Sequence, residues 1–404
     1  NSHRLLAMRR GEAAGILRVS ISIDGEECID RLNRQFVHGR GACQTLVAEA
    51  VEDSFKRLIN PSIQNEFAGL SKERADEEAI KVFTENLRQL LLSAPLGQKR
   101  VLALDPGFAN GCKIACLDAQ GNLLHHEIIY PHPPKRLYAQ ATVAVLRMIR
   151  QYNIEAIAIG NGTASRESKE FITDCLSHLA EEGKETPKVF VVSEDGASIY
   201  SASLTAREEF PAEDVTTRGA VSIGRRLMDP LAELVKIDPK NIGVGQYQHD
   251  VDQAKLRHSL DQTVESCVNQ VGVNLNTASK HLLMYVSGLG SALAQNIVDY
   301  RKEYGAFTSR AQLKKVPRLG AVAFQQCAGF LRIPNAKNPL DNSAVHPESY
   351  HIVEAMAEEQ NCSVSELISN KELIKRIDLN RYISNEVGLL TLNDIMQELE
   401  KPGR

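Results

Sequence analysis

Short apolar runs alternate with longer amphipathic stretches through the middle of the chain. Three runs bounded by turn residues predict buried strands, at 101–104, 155–159 and 189–192. Two further strands, 113–117 and 123–130, are joined by a glycine-containing turn, which predicts a hairpin directly after the first strand. We therefore expect a sheet whose first three strands follow one another along the chain.

Amphipathic helices are predicted between and after these strands. Their apolar positions recur with the helical period at 136–152, 165–179, 197–209 and 217–235. A hairpin followed by strands that alternate with helices predicts an α/β domain over residues 99–236. The first strand ends on Asp105, and a carboxylate in this position before a hairpin is typical of the RNase H-like fold.

The preceding residues, 1–98, are expected to form a helical region with a short strand pair. Apolar and polar side chains alternate over 17–23, which predicts a half-buried strand. Helices are predicted at 26–37 and 44–59, and Ser71 is expected to cap a long helix that ends near residue 93.

The residues after the α/β domain are expected to be mostly helical. A connecting loop and helix are predicted over 237–275, and the helices from 253 to 335 are expected to be short. A tandem helix-hairpin-helix domain is predicted over 276–335, followed by a helical domain over 336–404. Ser363 and Thr391 are its predicted helix caps.

Residues 281–298 have the pattern of a helix-hairpin-helix motif, two short helices joined by a tight glycine corner. Gly288 and Gly290 let the backbone come close to a phosphate. Leu289 is expected to fill the gap between the helices. Amides from Ser291 onward, at the start of the second helix, would point at the anion.

A second and looser copy of the motif follows. Lys314 and Lys315 precede its corner, which Arg318, Leu319 and Gly320 form. Two such hairpins can grip backbone phosphates without reading bases. A purely structural or protein-docking pair of hairpins is the alternative.

The chain is acidic overall but basic around these motifs. Its net charge is −4, so no global field attracts nucleic acid. Residues 288–332 contain seven bases and two acids, a balance of 7 − 2 = +5. The bases are Arg301, Lys302, Arg310, Lys314, Lys315, Arg318 and Arg332, and the acids are Asp299 and Glu303. This local excess favours nucleic acid as the partner.

Composition excludes several other classes of protein. The 404 residues exceed one ordinary core and predict several domains. No apolar run has the length of a membrane span, so no membrane partner is expected. The eight cysteines lack zinc-site spacing and are expected to be free thiols in a reducing compartment. Trp is absent and aromatic residues are few, which argues against a large base-stacking platform.

Three carboxylates could converge on metal ions in the α/β domain. Asp105 ends the first strand, Glu194 follows the last strand, and Asp229 opens a helical stretch. Two-metal phosphodiester cleavage needs such carboxylates around ions about 4 Å apart. Each residue also has a structural alternative. Asp105 suits a turn, Glu194 can belong to the cap of the next helix, and Asp229 before Pro230 suits an N-cap.

Several longer strings, in order along the chain, resemble the Tex family of transcription-accessory proteins. They include Leu104-Asp-Pro-Gly107, Tyr130-Pro-His-Pro-Pro134, Ile159-Gly-Asn-Gly-Thr-Ala-Ser-Arg166, Val192-Ser-Glu-Asp-Gly-Ala-Ser198, Arg225-Arg-Leu-Met-Asp-Pro-Leu-Ala-Glu-Leu-Val235, Gly243-Val-Gly-Gln-Tyr-Gln-His-Asp250, Val273-Asn-Leu-Asn-Thr-Ala-Ser279 and Asn338-Pro-Leu-Asp-Asn-Ser-Ala-Val-His-Pro347. The resemblance covers nearly the whole chain and extends to eukaryotic relatives called S1 RNA-binding domain-containing proteins.

The resemblance implies a YqgF-type, RuvC-like domain, then the helix-hairpin-helix domain, then a helical wedge before a C-terminal S1 domain. The S1 barrel and the family's N-terminal helical part are not in this sequence, so we expect the central core of a longer protein. Asp105, Glu194 and Asp229 lie where nuclease relatives keep acids. The family's YqgF-type domain is nevertheless regarded as a scaffold rather than a working nuclease.

The leading hypothesis is a nucleic-acid-binding scaffold of transcription or RNA metabolism that holds RNA or DNA backbones through the hairpins. Such binding requires no cofactor. The alternative is a nuclease or junction resolvase that uses the three carboxylates with Mg²⁺ or Mn²⁺. A third hypothesis is a docking platform for proteins of the transcription machinery. The expected location is intracellular, in the nucleus of a eukaryote or the cytoplasm of a bacterium.

Overall fold

The computed structural model describes residues 2–181, 183, 185–334, 336–384 and 387–400. The chain divides into two compact units. The first unit combines Asn1–Asn86 with Gly243–Leu260, and the second combines Leu87–Ile242 with Asp261–Arg404. In the part of the chain that the structure describes, no helix is both long and apolar enough to cross a membrane.

The first unit is helical. Its helices are α1 (Ser2–Ala13), α2 (Gly25–Phe36), α3 (Ala42–Ser54) and α4 (Asn60–Leu91), whose last turn enters the second unit. A π-helical turn, Phe55–Ile59, joins α3 to α4 without a break. Ser71 therefore lies inside α4, where its hydroxyl donates to the Ala68 carbonyl at 3.0 Å, and its prediction as a cap was wrong.

The half-buried strand predicted over residues 17–23 was also wrong. These residues belong to no strand, and the side chains of Leu17 and Ile23 are exposed. Alternating polarity makes a one-sided extended segment, but a strand also needs a hydrogen-bonded neighbour. The described residues of the first unit contain no strand that could supply one.

The second unit contains a five-stranded sheet. Its strands are β1 (Val101–Asp105), β2 (Cys112–Leu117), β3 (Leu123–Ile129), β4 (Ala156–Gly160) and β5 (Lys188–Val192), in the spatial order β3-β2-β1-β4-β5. The first three strands are antiparallel, as the predicted hairpin requires, whereas β1, β4 and β5 are parallel. All five strands confirm the strands predicted from the apolar runs.

Helices cover both faces of this sheet. They are α5 (Tyr138–Gln151), α6 (Ser165–Glu181), α7 (Ala197–Ala202), α8 (Leu204–Glu209), α9 (Val215–Met228) and α10 (Pro230–Leu234). Apolar side chains of α5 and α6 form one core with Leu102 and Leu104 of β1. Side chains of α9 form the other core with Val101 and Ala103, which point to the opposite face.

Two predicted helices are each split by a capping residue. Ser203 ends α7 and caps α8, where its hydroxyl accepts from the Ala206 amide at 3.2 Å. Asp229 separates α9 from α10 in the same way, with Pro230 at the first helical position. The residue types that favour N-caps thus divide each predicted helix into two consecutive helices.

The C-terminal part of the second unit consists mainly of short helices. These follow α11 (Gln253–Val271), which begins in the first unit and is longer than the short helices predicted for this region. They are α12 (Lys280–Leu283), α13 (Ser291–Tyr304), α14 (Ala321–Cys327), α15 (Tyr350–Glu359), α16 (Val364–Leu367), α17 (Lys371–Lys375) and α18 (Leu389–Glu400). Ser363 caps α16 in a capping box, as predicted, but Thr391 lies inside α18 and its prediction as a cap was wrong.

A two-stranded parallel pair, β6 (Val273–Asn274) and β7 (Leu331–Arg332), brackets the helix-hairpin-helix residues. Arg310, between the strands in sequence, is almost completely buried. Its guanidinium donates to the carbonyls of Leu331 at 2.7 Å and Val345 at 2.8 Å, and also to the Ser343 carbonyl. These bonds fix the hairpin residues to β7 and to the loop at residues 343–345.

Helix α9 packs closely on the sheet at Gly224. A Cβ atom there would lie 2.6 Å from Leu117 Cδ1 and 2.9 Å from Ala103 Cβ. Gly224→Ala should therefore destabilise the protein by about 1–3 kcal/mol through overpacking. Chemical denaturation measures the loss.

The matched control is Gly219→Ala on the same helix. Its Cβ position has no neighbour within 4 Å, so the change should be neutral or stabilise by roughly 0.5–1 kcal/mol. Equal stability of the two variants would contradict the described packing of α9 on β1 and β2.

Candidate nucleic-acid interface

The first hairpin corner has the geometry that its glycines predict. Gly288 has φ +78, and a Cβ atom there would lie 2.6 Å from Gln326 Cβ of α14. Leu289 is buried between the helices, and its amide donates to the Val286 carbonyl at 2.9 Å. Gly290 is the N-cap residue of α13 and has no side chain, so it makes no side-chain hydrogen bond to the first amides of that helix. These amides are available to an anion.

The second corner repeats this backbone with different residues. Arg318 has φ +64 and occupies the position that Gly288 has in the first copy. Leu319 is buried, and its amide donates to the Val316 carbonyl at 3.2 Å. Gly320 precedes α14 without a side-chain cap. The two corners are therefore copies in conformation as well as in sequence.

Both corners have an open face. No atom lies within 4 Å of the Cβ positions of Gly290 or Gly320, apart from their chain neighbours. Leu289 and Leu319 are buried, but the other corner residues that we predicted to touch nucleic acid are exposed as well. They are Gly288, Ser291, Lys314, Lys315 and Arg318. A sugar-phosphate strand could approach both corners within the described part of the second unit.

Fewer basic side chains reach this surface than the sequence count suggested. Arg310 and Arg332 are buried, and Arg332 donates to the Gly329 carbonyl at 2.6 Å. Arg301 donates to the carbonyls of Leu275 and Ala278, each at 3.0 Å. Four exposed bases remain, Lys302, Lys314, Lys315 and Arg318, against the exposed acids Asp299 and Glu303. The surface balance is 4 − 2 = +2 rather than +5.

Two of the three predicted carboxylates lie at the same edge of the sheet. Asp105 ends β1 and Glu194 follows β5, so both lie at the carboxyl ends of parallel strands, where α/β proteins commonly bind ligands. Glu194 lies against the glycines that follow β4. A Cβ atom at Gly160 would be 2.5 Å from Glu194 Oε2, and one at Gly162 would be 1.6 Å from Oε1.

The electrostatics of this pair disfavour two free negative charges. Burial raises the pKa of Asp105, although Lys113 Nζ lies 3.7 Å from its carboxylate. Burial, and then the charge of Asp105, raise the pKa of Glu194. Glu194 Oε2 is buried and has no hydrogen-bond partner among the described residues. A proton or a cation would relieve this repulsion.

Asp229 does not join the pair. Its Oδ1 caps α10 by accepting from the Ala232 amide at 3.1 Å. The carbonyls just before it, of Leu227 and Met228, accept from the amides of residues 96 and 97, which precede β1, whereas Asp105 lies at the other end of that strand. Among described residues, no three or more His, Cys, Asp or Glu side chains could hold a metal ion together. Catalysis by these carboxylates stays a prediction.

Sequence reasoning missed the residues that surround Asp105 and Glu194. Lys113 is the antiparallel partner of Asp105, a pairing that the predicted hairpin register could have given. Asn161 Oδ1 accepts from the Glu194 amide at 3.0 Å. Gly160 and Gly162 leave the space that the carboxylate fills, and only the fold brings them to it.

Replacing Glu194 tests this environment. A carboxyl whose pKa is raised by folding binds more protons folded than unfolded, so it costs stability as the pH rises through that window. Glu194→Gln should raise the midpoint of thermal unfolding by a few degrees at neutral pH. The gain should fade as the pH falls toward the ordinary carboxyl range. The exposed Glu208 supplies the control, since Glu208→Gln should change little. A rise in the unfolding midpoint that does not depend on pH would contradict a raised pKa of Glu194.

Four family models match consecutive parts of the chain. The Tex central region-like model matches residues 1–83, and the Tex protein YqgF-like domain matches residues 99–228. The helix-hairpin-helix motif matches 268–332. The HHH domain matches 338–404, the segment that we expected to be a helical wedge.

Relatives from bacteria match the chain along its whole length. The transcriptional accessory protein Tex of Neisseria gonorrhoeae is 48% identical over 411 residues, which is 100% of this chain and 53% of that protein. Protein tex of Bordetella pertussis is 46% identical over 417 residues, 100% of this chain and 52% of that protein.

A human relative matches a shorter part of the chain. The human S1 RNA-binding domain-containing protein 1 is 41% identical over 339 residues, 82% of this chain and 34% of that protein.

The chain spans about half the length of these bacterial relatives. It carries their YqgF-like domain, with an RNase H-like sheet, followed by two HHH domains. The resemblance predicted from its longer sequence strings is confirmed. The chain belongs to the Tex family of transcription accessory proteins.

Proposed function

We propose that this chain is a nucleic-acid-binding scaffold that acts in transcription or RNA metabolism by holding backbone phosphates at its two hairpin corners. The observation that carries the proposal is the open face of both corners. Helix-start amides without side-chain caps lie there beside three exposed bases, Lys314, Lys315 and Arg318. The names of the relatives, transcriptional accessory protein and S1 RNA-binding domain-containing protein, agree with this role.

Contacts from amides and lysines to phosphate carry no information about the base. Helix-start amides offer donors and a positive dipole end to any phosphate, whatever base it carries. Lys314 Nζ lies 4.7 Å from the centre of the Phe324 ring, which holds its stem against α14 beside the second corner. We therefore expect binding to RNA and DNA backbones with little preference for sequence at these corners.

The wider role of the chain is part of the proposal. We infer partners in the transcription machinery from the names of the relatives. We also infer an intracellular location, nuclear or cytoplasmic according to the source, because the eight cysteines, all among the described residues, form no disulfide bond. Co-purification with and without added nuclease would separate direct protein partners from those bridged by nucleic acid.

Charge reversal at the second corner tests phosphate binding. Changing Lys314, Lys315 and Arg318 together to Glu should weaken binding to single- and double-stranded oligomers. It should also reduce the slope of log affinity against log salt by up to about 3, because each phosphate contact contributes about one. The measurement is a salt titration by fluorescence anisotropy.

The matched control reverses three exposed bases of the YqgF-like domain, Arg166, Lys169 and Lys188. Both triple variants change the net charge equally, so general repulsion would weaken both alike. Equal effects, or a salt response that is already flat in the unchanged protein, would remove the proposal.

A second candidate function, metal-dependent phosphodiester cleavage, has support from one observation. Glu194 Oε2 is buried and has no hydrogen-bond partner among the described residues, and the charge of Asp105 adds to burial in raising the pKa of Glu194. Two carboxylates fit a single Mg²⁺ or Mn²⁺ ion, whose role would be to polarise a phosphodiester. Asp229 is apart from them, so the described residues do not fit the three-carboxylate, two-metal arrangement.

Metal binding and cleavage have separate readouts. If Asp105 and Glu194 hold an ion, Mn²⁺ should raise the unfolding midpoint of the unchanged protein but not of Asp105→Asn. If the ion supports chemistry, branched DNA or structured RNA should be cut, and Asp105→Asn should abolish cutting. Cleavage that survives Asp105→Asn would exclude these residues.

A further inference from the structure

A cavity of about 330 Å³ opens beside the second hairpin corner. It lies along one face of α13 and is lined by Asn296, Asp299, Tyr300, Glu303, Tyr304 and Lys315, among others. Its size is in the range that proteins use for small ligands. The corner itself, described above, does not account for the two acids or the aromatic rings of this cavity.

The aromatic rings form a short stack that ends at the surface. Tyr300 stacks on the buried Phe307, with ring centres 5.2 Å apart and planes 22° from parallel. The ring of Tyr304 lies 4.7 Å from that of Tyr300, one turn further along α13. Tyr304 is 66% exposed, so the stack is open to one more flat ring.

The two acids lie next to these rings. Asp299 and Glu303 are one helical turn apart, are exposed and can only accept hydrogen bonds when ionised. Their charge repels a phosphate, so they are poor residues for backbone binding. They suit a flat group with two adjacent donors, and the N1–H and amino group of guanine form such an edge.

Lysine and the second corner lie on the other side of the cavity. Lys315 lines it, and Asn296 Nδ2 donates to the Pro317 carbonyl at 2.8 Å, which fixes the corner against α13. A strand held at Lys315 and Arg318 would thus pass the mouth of the cavity. The charges are complementary to a nucleotide, with lysine toward the phosphate and carboxylates toward the base.

We propose that this cavity takes an unpaired guanine from a strand whose phosphates are held at the second hairpin corner. The inference rests on the proposed function and adds base selectivity to it. Tyr304 stacks on the base, and Asp299 and Glu303 accept from its Watson–Crick edge. A paired guanine has that edge occupied, so only single-stranded or looped nucleic acid enters.

The test uses labelled oligothymidylates that carry one central guanine, adenine or abasic site. The unchanged protein should bind the guanine strand about tenfold more tightly than the adenine strand. The abasic strand should bind roughly tenfold more weakly than the adenine strand because stacking is lost. Tyr304→Ala should make the three affinities alike.

The acids are tested by a ratio. Asp299→Asn combined with Glu303→Gln removes two negative charges and should strengthen binding of every strand, so only the guanine-to-adenine ratio is informative. That ratio should fall to about one. Tyr138→Ala and Glu354→Gln, at exposed sites in other domains, should leave it unchanged. A ratio that survives loss of both acids would overturn the guanine assignment.

Failure of this inference and failure of the proposed function are distinguishable. Equal, salt-dependent binding of all three strands would remove the base site and leave phosphate binding intact. Displacement of the strands by an arginine-rich peptide, together with equal binding of all three, would reassign the cavity to a basic protein partner. Absence of binding to any strand would overturn the inference and the proposed function together.

Discussion

The buried guanidinium of Arg310 is the interaction on which the arrangement of the C-terminal half depends. It donates to carbonyls from both sides of the boundary between the two HHH domains, and to the hydroxyl of Tyr350, which in turn donates to Asp341. A hydrogen bond from a charged donor contributes about 1.5–3 kcal/mol, and loss of the donor would leave several buried carbonyls without partners. The corners that we propose to bind phosphate are held in place by this network.

The same network explains why the phosphate surface is small. Three arginines that add to the count of positive charge donate hydrogen bonds to carbonyls inside the domain. Only four bases remain exposed near the corners. With a net charge of −4, the chain exerts no long-range attraction on nucleic acid. The binding that we propose for this chain therefore depends on short-range geometry, namely amides at helix starts and the rings of α13.

Local patterns were sufficient for much of the fold. Strands β1 to β5 followed from apolar runs, the hairpin from its glycine turn, and the two corners from glycine spacing with a plug leucine. The errors about strands share a physical cause, which is dependence on distant partners. Apolar and polar side chains alternate over residues 17–23, but no neighbouring strand is described there. Strands β6 and β7 pair across some sixty residues of sequence, and each is too short to show a periodicity.

The candidate sites show the same limit. Residue type placed Asp105 and Glu194 correctly at strand ends, and parallel strands then brought them to one edge. Asp229 had the right chemistry, but the N-cap that its Asp-Pro sequence favours keeps it at the start of α10. The sequence does not reveal whether the side chains of Arg301, Arg310 and Arg332 point into the domain or into solvent. Their direction depends on which carbonyls lie nearby after folding.

The left-handed backbone of Arg318 has a thermodynamic consequence. Glycine serves the same position in the first corner, and a side chain in this conformation costs of order 1–3 kcal/mol. Glycine at residue 318 would therefore favour stability, whereas arginine adds a positive charge at the corner where we propose phosphate binding. The two corners share one backbone conformation and differ in what that conformation costs.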